Sequence, residues 1–330
     1  MEENFLLELL RISSKSGKEK ELGEFIVNRL KKNFRIEKQE INNNFNIFAY
    51  LGQPRIIFAT HLDTIVGDLE IKKDYKYVYG RGVCDSKSQI AAMILAAEKA
   101  LKRGLTDFGL LFTVQEETDF MGAKKAIELI PKSTKLIVVG EPTNLVMAIG
   151  QKGLVYLKIS KEGKSAHGAM PEKGINAIEL LMNDLIKLKD IKFKEDDVLG
   201  KNIINIGIIK GGSAPNIVPD YAEATVVIRN TVEPKEIIEQ IKKEIGAKIE
   251  VLTSYEPVLN KEIKMIAKKL NLETKTVPYF TEAYFFDKKA KSIILGAGKE
   301  EDAHSKDEKV KIEDLKKLIQ IYLKLIGESQ

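Results

Sequence analysis

Short unbroken apolar runs alternate along this chain with stretches whose apolar positions recur every three or four residues. RIIFAT (55–60), GLLFTVQ (109–115), KLIVVG (135–140) and SIILGAG (292–298) are too short for helices and show no polar alternation. Each predicts a strand covered on both faces. SQIAAMILAAEKALKRG (88–104) predicts a helix between them, closed by Gly104 at its C-cap. Strand and helix patterns in alternation predict an α/β fold: a mixed, mostly parallel sheet covered by helices.

The rhythm changes in the middle. GLVYLKISKEG (153–163) alternates as a half-exposed strand does, and NAIELLMNDLIKL (176–188) has helical spacing. Two further strands follow at 202–212 and 220–230, then a helix at 233–246 with acidic residues first and lysines later, matching the macrodipole. A strand at 248–257 closes the series. This β-α-β-β-α-β order predicts an inserted ferredoxin-like α+β domain. The expected domains are therefore 1–152 with 258–330, and 153–257 as the insert.

Composition narrows the function classes. The 330 residues carry 53 Lys and Arg against 48 Asp and Glu, a net charge of +5. The two signs are interleaved, whereas nucleic-acid binding calls for a clustered basic face, so no nucleic-acid partner is expected. No apolar run approaches the roughly 18 residues of a membrane span. The N-terminus MEENFLLELLRISSKSG begins acidic and continues at helical spacing, unlike a secretory signal. One cysteine, Cys84, excludes an intrachain disulfide framework, and with the missing signal gives a cytoplasmic expectation. A single Cys reads as a small core hydrophobe rather than a nucleophile.

The candidate chemistry gathers at strand ends. His61 and Asp63 follow the first strand, Glu116 and Glu117 the second, Glu141 the third and His304 the last, while Asp85 precedes the helix at 88. Ligands in open α/β sheets bind outside the carboxyl ends of the strands, so six of these seven residues should share one rim. Two imidazoles with several carboxylates and no partnering cysteine suit divalent metals, zinc above all, with Co or Mn as alternatives. The set is large enough for two metals sharing a carboxylate. No P-loop, HExxH, GxSxG or dinucleotide fingerprint competes with this reading, since GRGVCD has Asp85 where the third glycine belongs.

THLDT, YGRGVCDSK, EE, GEPT, SAHGAMPEKGINAI, APNIVPD and AHSKDE occur in the order of one family. The sequence resembles the dinuclear zinc amidohydrolases that include acetylornithine deacetylase, succinyl-diaminopimelate desuccinylase, aminoacylase and glutamate carboxypeptidase. GEPTN and GQKGLVYLKISKEGKSAHG look most like the acetylornithine deacetylase branch. The resemblance implies one metal on His61, Asp85 and Glu141 and a second on Asp85, Glu117 and His304. It makes Asp63 the partner of the other ring N–H of His61, which fixes its tautomer, and Glu116 the general base. It also implies that the insert mediates a homodimer and lends His167 to the partner's site, where that residue would stabilise an oxyanion. Asn216 and Arg229 match positions that bind a substrate carboxylate or the oxyanion region. The implied activity is removal of an N-acyl group from a small amino acid, acetylornithine first. Succinyl-diaminopimelate, lysine or ornithine on an acidic carrier protein, and dipeptides are the alternatives. A catalytically dead binding protein on the same scaffold would lack a ligand or the base, and every position is filled. Ser86 and Ser88 depart from the usual pattern without removing a ligand, and Asp85–Ser86 is a candidate cis peptide.

Overall fold

The computed structural model describes residues 2–329, which fall into two compact units. The larger comprises the chain through Gly150, Asn260–Lys275 and the residues from Thr281 onward; the smaller comprises Gln151–Leu259 and Thr276–Phe280.

In the larger unit the four apolar runs form Ile56–His61, Phe108–Thr113, Leu136–Val139 and Lys291–Ile294. Ile56–His61 lies between Phe108–Thr113 and Leu136–Val139, parallel to both, and Leu136–Val139 is parallel to Lys291–Ile294. Arg35–Ile41 and Asn44–Tyr50 extend one side antiparallel, and Met147–Gln151 adds an antiparallel neighbour on the other. The sheet is thus mixed, with a parallel centre. Its parallel strands are buried almost throughout, as unbroken apolar runs require.

Helix Ser88–Lys102 packs on helix Ile312–Glu328. The first is buried on most of its surface because Ala91, Ala92, Ala96, Ala97 and Ala100 let it approach neighbours closely. Gly104 follows it at φ +72°, the left-handed conformation a glycine adopts without strain. Phe58 and Tyr322 meet at 4.8 Å between ring centroids, and the buried Tyr322 hydroxyl donates to the Leu295 carbonyl at 2.5 Å. That bond satisfies the polar tip of a buried aromatic. Among the described residues no helix is long and apolar enough to cross a membrane.

The smaller unit holds strands Leu154–Glu162, Ile203–Gly211, Tyr221–Arg229 and Lys248–Tyr255 with helices Ala177–Asp190 and Pro234–Glu244. The strand order is Ile203–Gly211, Tyr221–Arg229, Leu154–Glu162, Lys248–Tyr255, antiparallel throughout. This is the ferredoxin-like arrangement. Its core joins alternate strand residues, such as Val155, Leu157 and Ile159, to Leu181, Leu185, Ile237 and Ile241 of the helices. Asn176 caps the first helix by accepting the Ile178 and Glu179 amides.

Candidate metal centre

The parallel register sets the site. His61 is the last residue of its strand and lies opposite Thr113. Glu116 and Glu117 follow Thr113 in the next turn, and Glu141 comes two residues beyond Val139. Strands running in one direction therefore deliver these side chains to the same edge.

Asp85 lies between the two imidazoles. His61 Nε2 is 2.9 Å from its Oδ1, and His304 Nε2 is 3.2 Å from its Oδ2. His304 Nε2 also lies 2.7 Å from Glu117 Oε1. Donor atoms of His61, Asp85 and Glu117 all fall within 4.8 Å of one another, the spacing of ligands around a cation. Glu141 is buried and its Oε1 has no hydrogen-bond partner. A buried carboxylate oxygen without a donor is costly unless a cation or proton meets it. The donor set therefore fits metal, with one oxygen of Asp85 for each side.

Asp63 does more than the sequence reading assigns it. Its main-chain oxygen, at 2.9 Å, is the nearest partner of His61 Nδ1, while its carboxylate Oδ1 is 3.4 Å away. The carboxylate instead accepts the Glu116 amide at 3.0 Å, the Glu117 amide at 3.1 Å and the Ser16 hydroxyl at 2.7 Å. The His61 tautomer is thus set first by a peptide carbonyl. The side chain holds the turn that aims the Glu116–Glu117 pair.

The electrostatics are those of carboxylates crowded out of water. Burial pushes Glu116 well above the carboxylate range; the His61 charge opposes this and Glu117 adds to it. Burial, reinforced by Asp85, does the same to Glu141. Burial raises Glu282 to about 7. Burial works against charge on His61, yet Asp63 and Asp85 hold its imidazole well above the ordinary value. Asp85 and Glu117 raise His304 to about 10. Asp85 itself is held low, because His304 and His61 outweigh its burial. Such a concentration of displaced pKa values marks a functional site.

Two acids had no role in the sequence reading. Glu282 is fully buried, and neither carboxylate oxygen has a hydrogen-bond partner. Its charge is felt by both Glu116 and Glu141. No pattern in TEAYFF points to it. Glu308 lies at the end of AHSKDE, so the motif contains it, but spacing does not reveal the main-chain amides it accepts. Cys84 is buried, and burial raises its thiol pKa, which suits a core residue. The Asp85–Ser86 peptide is cis.

The remaining candidates belong to the smaller unit. His167 is exposed, and its Nδ1 accepts the Ala169 amide at 3.1 Å, which in the neutral ring leaves Nε2 as the donor. The next amide, of Gly168, donates to the Asn216 carbonyl at 2.7 Å, so His167 and Asn216 lie on neighbouring segments. Arg229 ends strand Tyr221–Arg229, paired opposite Ile203, apart from that loop contact.

An α/β sheet with a two-histidine, multi-carboxylate rim defines a metal-dependent hydrolase class. The model of peptidase family M20/M25/M40 matches residues 57–328, and the chain belongs to that family. It is accordingly a hydrolase of amide bonds. A peptidase M20 domain-containing protein of Schizosaccharomyces pombe is 32% identical, over 93% of this chain and 79% of its own length. A probable carboxypeptidase of Aspergillus clavatus is 30% identical over 99% and 88%. Among solved structures, a tripeptidase from Staphylococcus aureus aligns over 99% and 97% of the two chains with TM-score 0.83 at 23% identity. A Bacillus subtilis protein described as a dinuclear metal-binding peptidase of family M20 aligns over 98% and 96%, with TM-score 0.72 at 17% identity. The last two likenesses establish the fold. These relatives are named as peptidases rather than as acetylornithine deacetylase, the branch the motifs favour.

Proposed function

We propose that this chain is a dinuclear-metal hydrolase that releases an amino acid bearing a free carboxylate from an N-acyl or N-peptidyl group. The observation that carries the reading is Asp85, whose two oxygens each face a different imidazole at 2.9 and 3.2 Å. His61 and Glu141 would hold one cation and Glu117 and His304 the other, with Asp85 common to both. Bound there, divalent cations, zinc first, acidify the attacking water and polarise the scissile carbonyl.

The chain's own residues do the rest. Glu116, half-buried beside the ligand Glu117, takes the water's proton and returns it to the departing amine. Asp63 fixes where Glu116 points through the Glu116 amide. His167, lent by a second copy of the chain and donating through Nε2, would steady the developing oxyanion, a contact worth ~3–4 kcal/mol. Asn216 and the Arg229 fork are assigned to the substrate's carboxylate and oxyanion region.

Carboxypeptidase substrates and N-acyl amino acids share one feature, an amino acid with a free carboxylate as leaving group. That covers both the carboxypeptidase names of relatives and the acetylornithine-like motifs. The test is a panel of acetylornithine, N-succinyl-diaminopimelate, dipeptides and a carrier-linked lysine, each dipeptide also supplied as its C-terminal amide. The expected result is at least ~100-fold higher kcat/KM for free carboxylates, because a guanidinium fork matches a carboxylate bidentately and does not match a neutral amide. Equal cleavage of the amidated peptides would sink the reading.

We also propose that the smaller unit pairs two copies of the chain. Its helix Ala177–Asp190 exposes Met182 and Ile186 by 53% and 59%, and its edge strand Ile203–Gly211 exposes Ile208 and Ile209 by 51% and 55%. An apolar helix face and an apolar strand edge left in water favour self-association. Sedimentation of wild type against Ile186→Glu/Ile208→Glu tests this. A dimer that the double variant makes monomeric is expected, and a monomeric wild type contradicts it.

A further inference from the structure

Glu308 is buried, and its hydrogen bonds run toward the segment that carries Asp85. Oε1 accepts the Cys84 amide at 2.9 Å and the Asp85 amide at 3.2 Å. Oε2 accepts the Gly82 amide at 3.1 Å and Arg81 Nη1 at 2.8 Å. Its own carbonyl accepts the Gly80 amide at 3.3 Å. The next residues, Lys309–Lys311, pair antiparallel with Tyr77–Tyr79. Residues 77–85 are therefore zipped to the segment that begins, four residues before Glu308, with His304.

A carboxylate accepting four donors, three of them consecutive-turn amides, is an anion nest in reverse: the side chain imposes a shape on the backbone. The last of those amides belongs to Asp85 itself. Arg81, whose Nε donates to the Gly67 carbonyl at 2.8 Å, neutralises Glu308 and ties in a third segment.

We propose that Glu308 is the positioning residue for the metal centre. It fixes the main chain of Asp85 relative to His304, so that the carboxylate spans the two imidazoles before any cation arrives. This rests on Asp85 being a shared ligand. Glu308 touches neither substrate nor cation, and acts through Asp85. No shape-conserving substitution can replace it, because a glutamine of the same volume has one acceptor oxygen. Its NH2 must then face either Gly82 N–H and Arg81 or Cys84 and Asp85 N–H, donor against donor.

The test begins with the metal-free wild type and amide hydrogen exchange. Gly82, Cys84 and Asp85 amides are expected to be protected without metal, as pre-positioning requires. Fast exchange there, with helix Ser88–Lys102 protected, overturns the proposal and needs no variant. Zinc titration of Glu308→Gln should then show affinity weakened by ~10–100-fold, the range for supports of metal ligands. Helix 88–102 protection should be unchanged, and either the Gly82 amide or the Cys84 and Asp85 amides should have become fast. Arg81→Met, which leaves the three amide bonds in place, should lose no more than about threefold. Equal losses in the two variants, or unchanged affinity in Glu308→Gln, contradict the proposal. Wild type binding fewer than two zinc ions would instead defeat the dinuclear reading, so the two failures are distinguishable.

Discussion

Glu116 and Glu117 are adjacent carboxylates in different surroundings, set apart by the turn after Phe108–Thr113. Glu117 Oε1 meets His304 at 2.7 Å, whereas Glu116 is half-buried, with desolvation pushing its pKa up. Glu116→Gln should keep both metals and lower kcat by ~10²–10⁴, the usual share of general acid–base catalysis. Metal analysis beside turnover checks this, and loss of metal would mean that the two residues exchange roles. His304 gives a pH dependence. Its folded value is about 10 against an ordinary 6.5, so the proton stabilises the metal-free fold. That contribution is fully present below about pH 6.5 and is lost as pH rises through about 10. A cation must displace this proton, so zinc affinity should increase with pH across that window, and loading at pH 8 should release at least one proton per chain. Calorimetry in buffers of different ionisation heat reads the release, and buffer-independent heats contradict it. Residue type and order pointed to the candidate ligands, since His61 ends a strand, Glu117 and Glu141 follow strands within a few residues, and His304 lies in the turn before Lys309–Lys311. Asp63's grip on two amides, the unpartnered Glu282 and the Glu308 clamp were not readable, because main-chain hydrogen bonds and burial leave no mark on spacing.

At the scale of elements, the buried strands and the alternating ones were distinguishable because burial on two faces and on one leave different patterns. Strand ends moved by one or two residues, as at Phe108–Thr113 against the expected 109–115. The ends are set by the turns that carry the acids. The small hairpin Lys72–Lys73 with Tyr77–Tyr79, and its pairing with Lys309–Lys311, went unread because strands of two or three residues have no period. Close approach is equally silent in sequence. A Cβ on Gly296 would lie 2.2 Å from the Glu141 carbonyl oxygen and 2.7 Å from Gln89 Oε1. Gly296→Ala must push apart the segments that hold Glu141 and Gln89. It should destabilise by about 1–3 kcal/mol, the range for overpacking, and weaken metal binding through Glu141. Melting and zinc titration check both, and an unchanged Tm would show that the approach yields easily.

For the whole molecule, the motif order along the chain carried the class of chemistry, while the substrate stayed open because the proposed substrate contacts, Asn216 and Arg229, rest on resemblance alone. The proposed exchange of His167 between copies has its own test. A Glu116→Gln chain mixed with a His167→Ala chain, each nearly inactive alone, should regain roughly a quarter of wild-type activity. Half the dimers are mixed, and each mixed dimer has one site with both wild-type residues. Kinetics in the His167→Ala homodimer should show kcat and kcat/KM falling together, because an oxyanion contact exists mainly in the transition state. No recovery, with exchange shown by an independent label, would mean that His167 does not serve the partner's site.

The most direct measurement is anomalous diffraction at the zinc edge from crystals of the zinc-loaded protein. Two peaks ~3.5–4 Å apart, one beside His61 and Glu141, the other beside Glu117 and His304, with Asp85 contributing an oxygen to each, are the result expected. A single peak, or two peaks with Asp85 bound to only one, would contradict the shared-carboxylate centre on which the proposed chemistry depends.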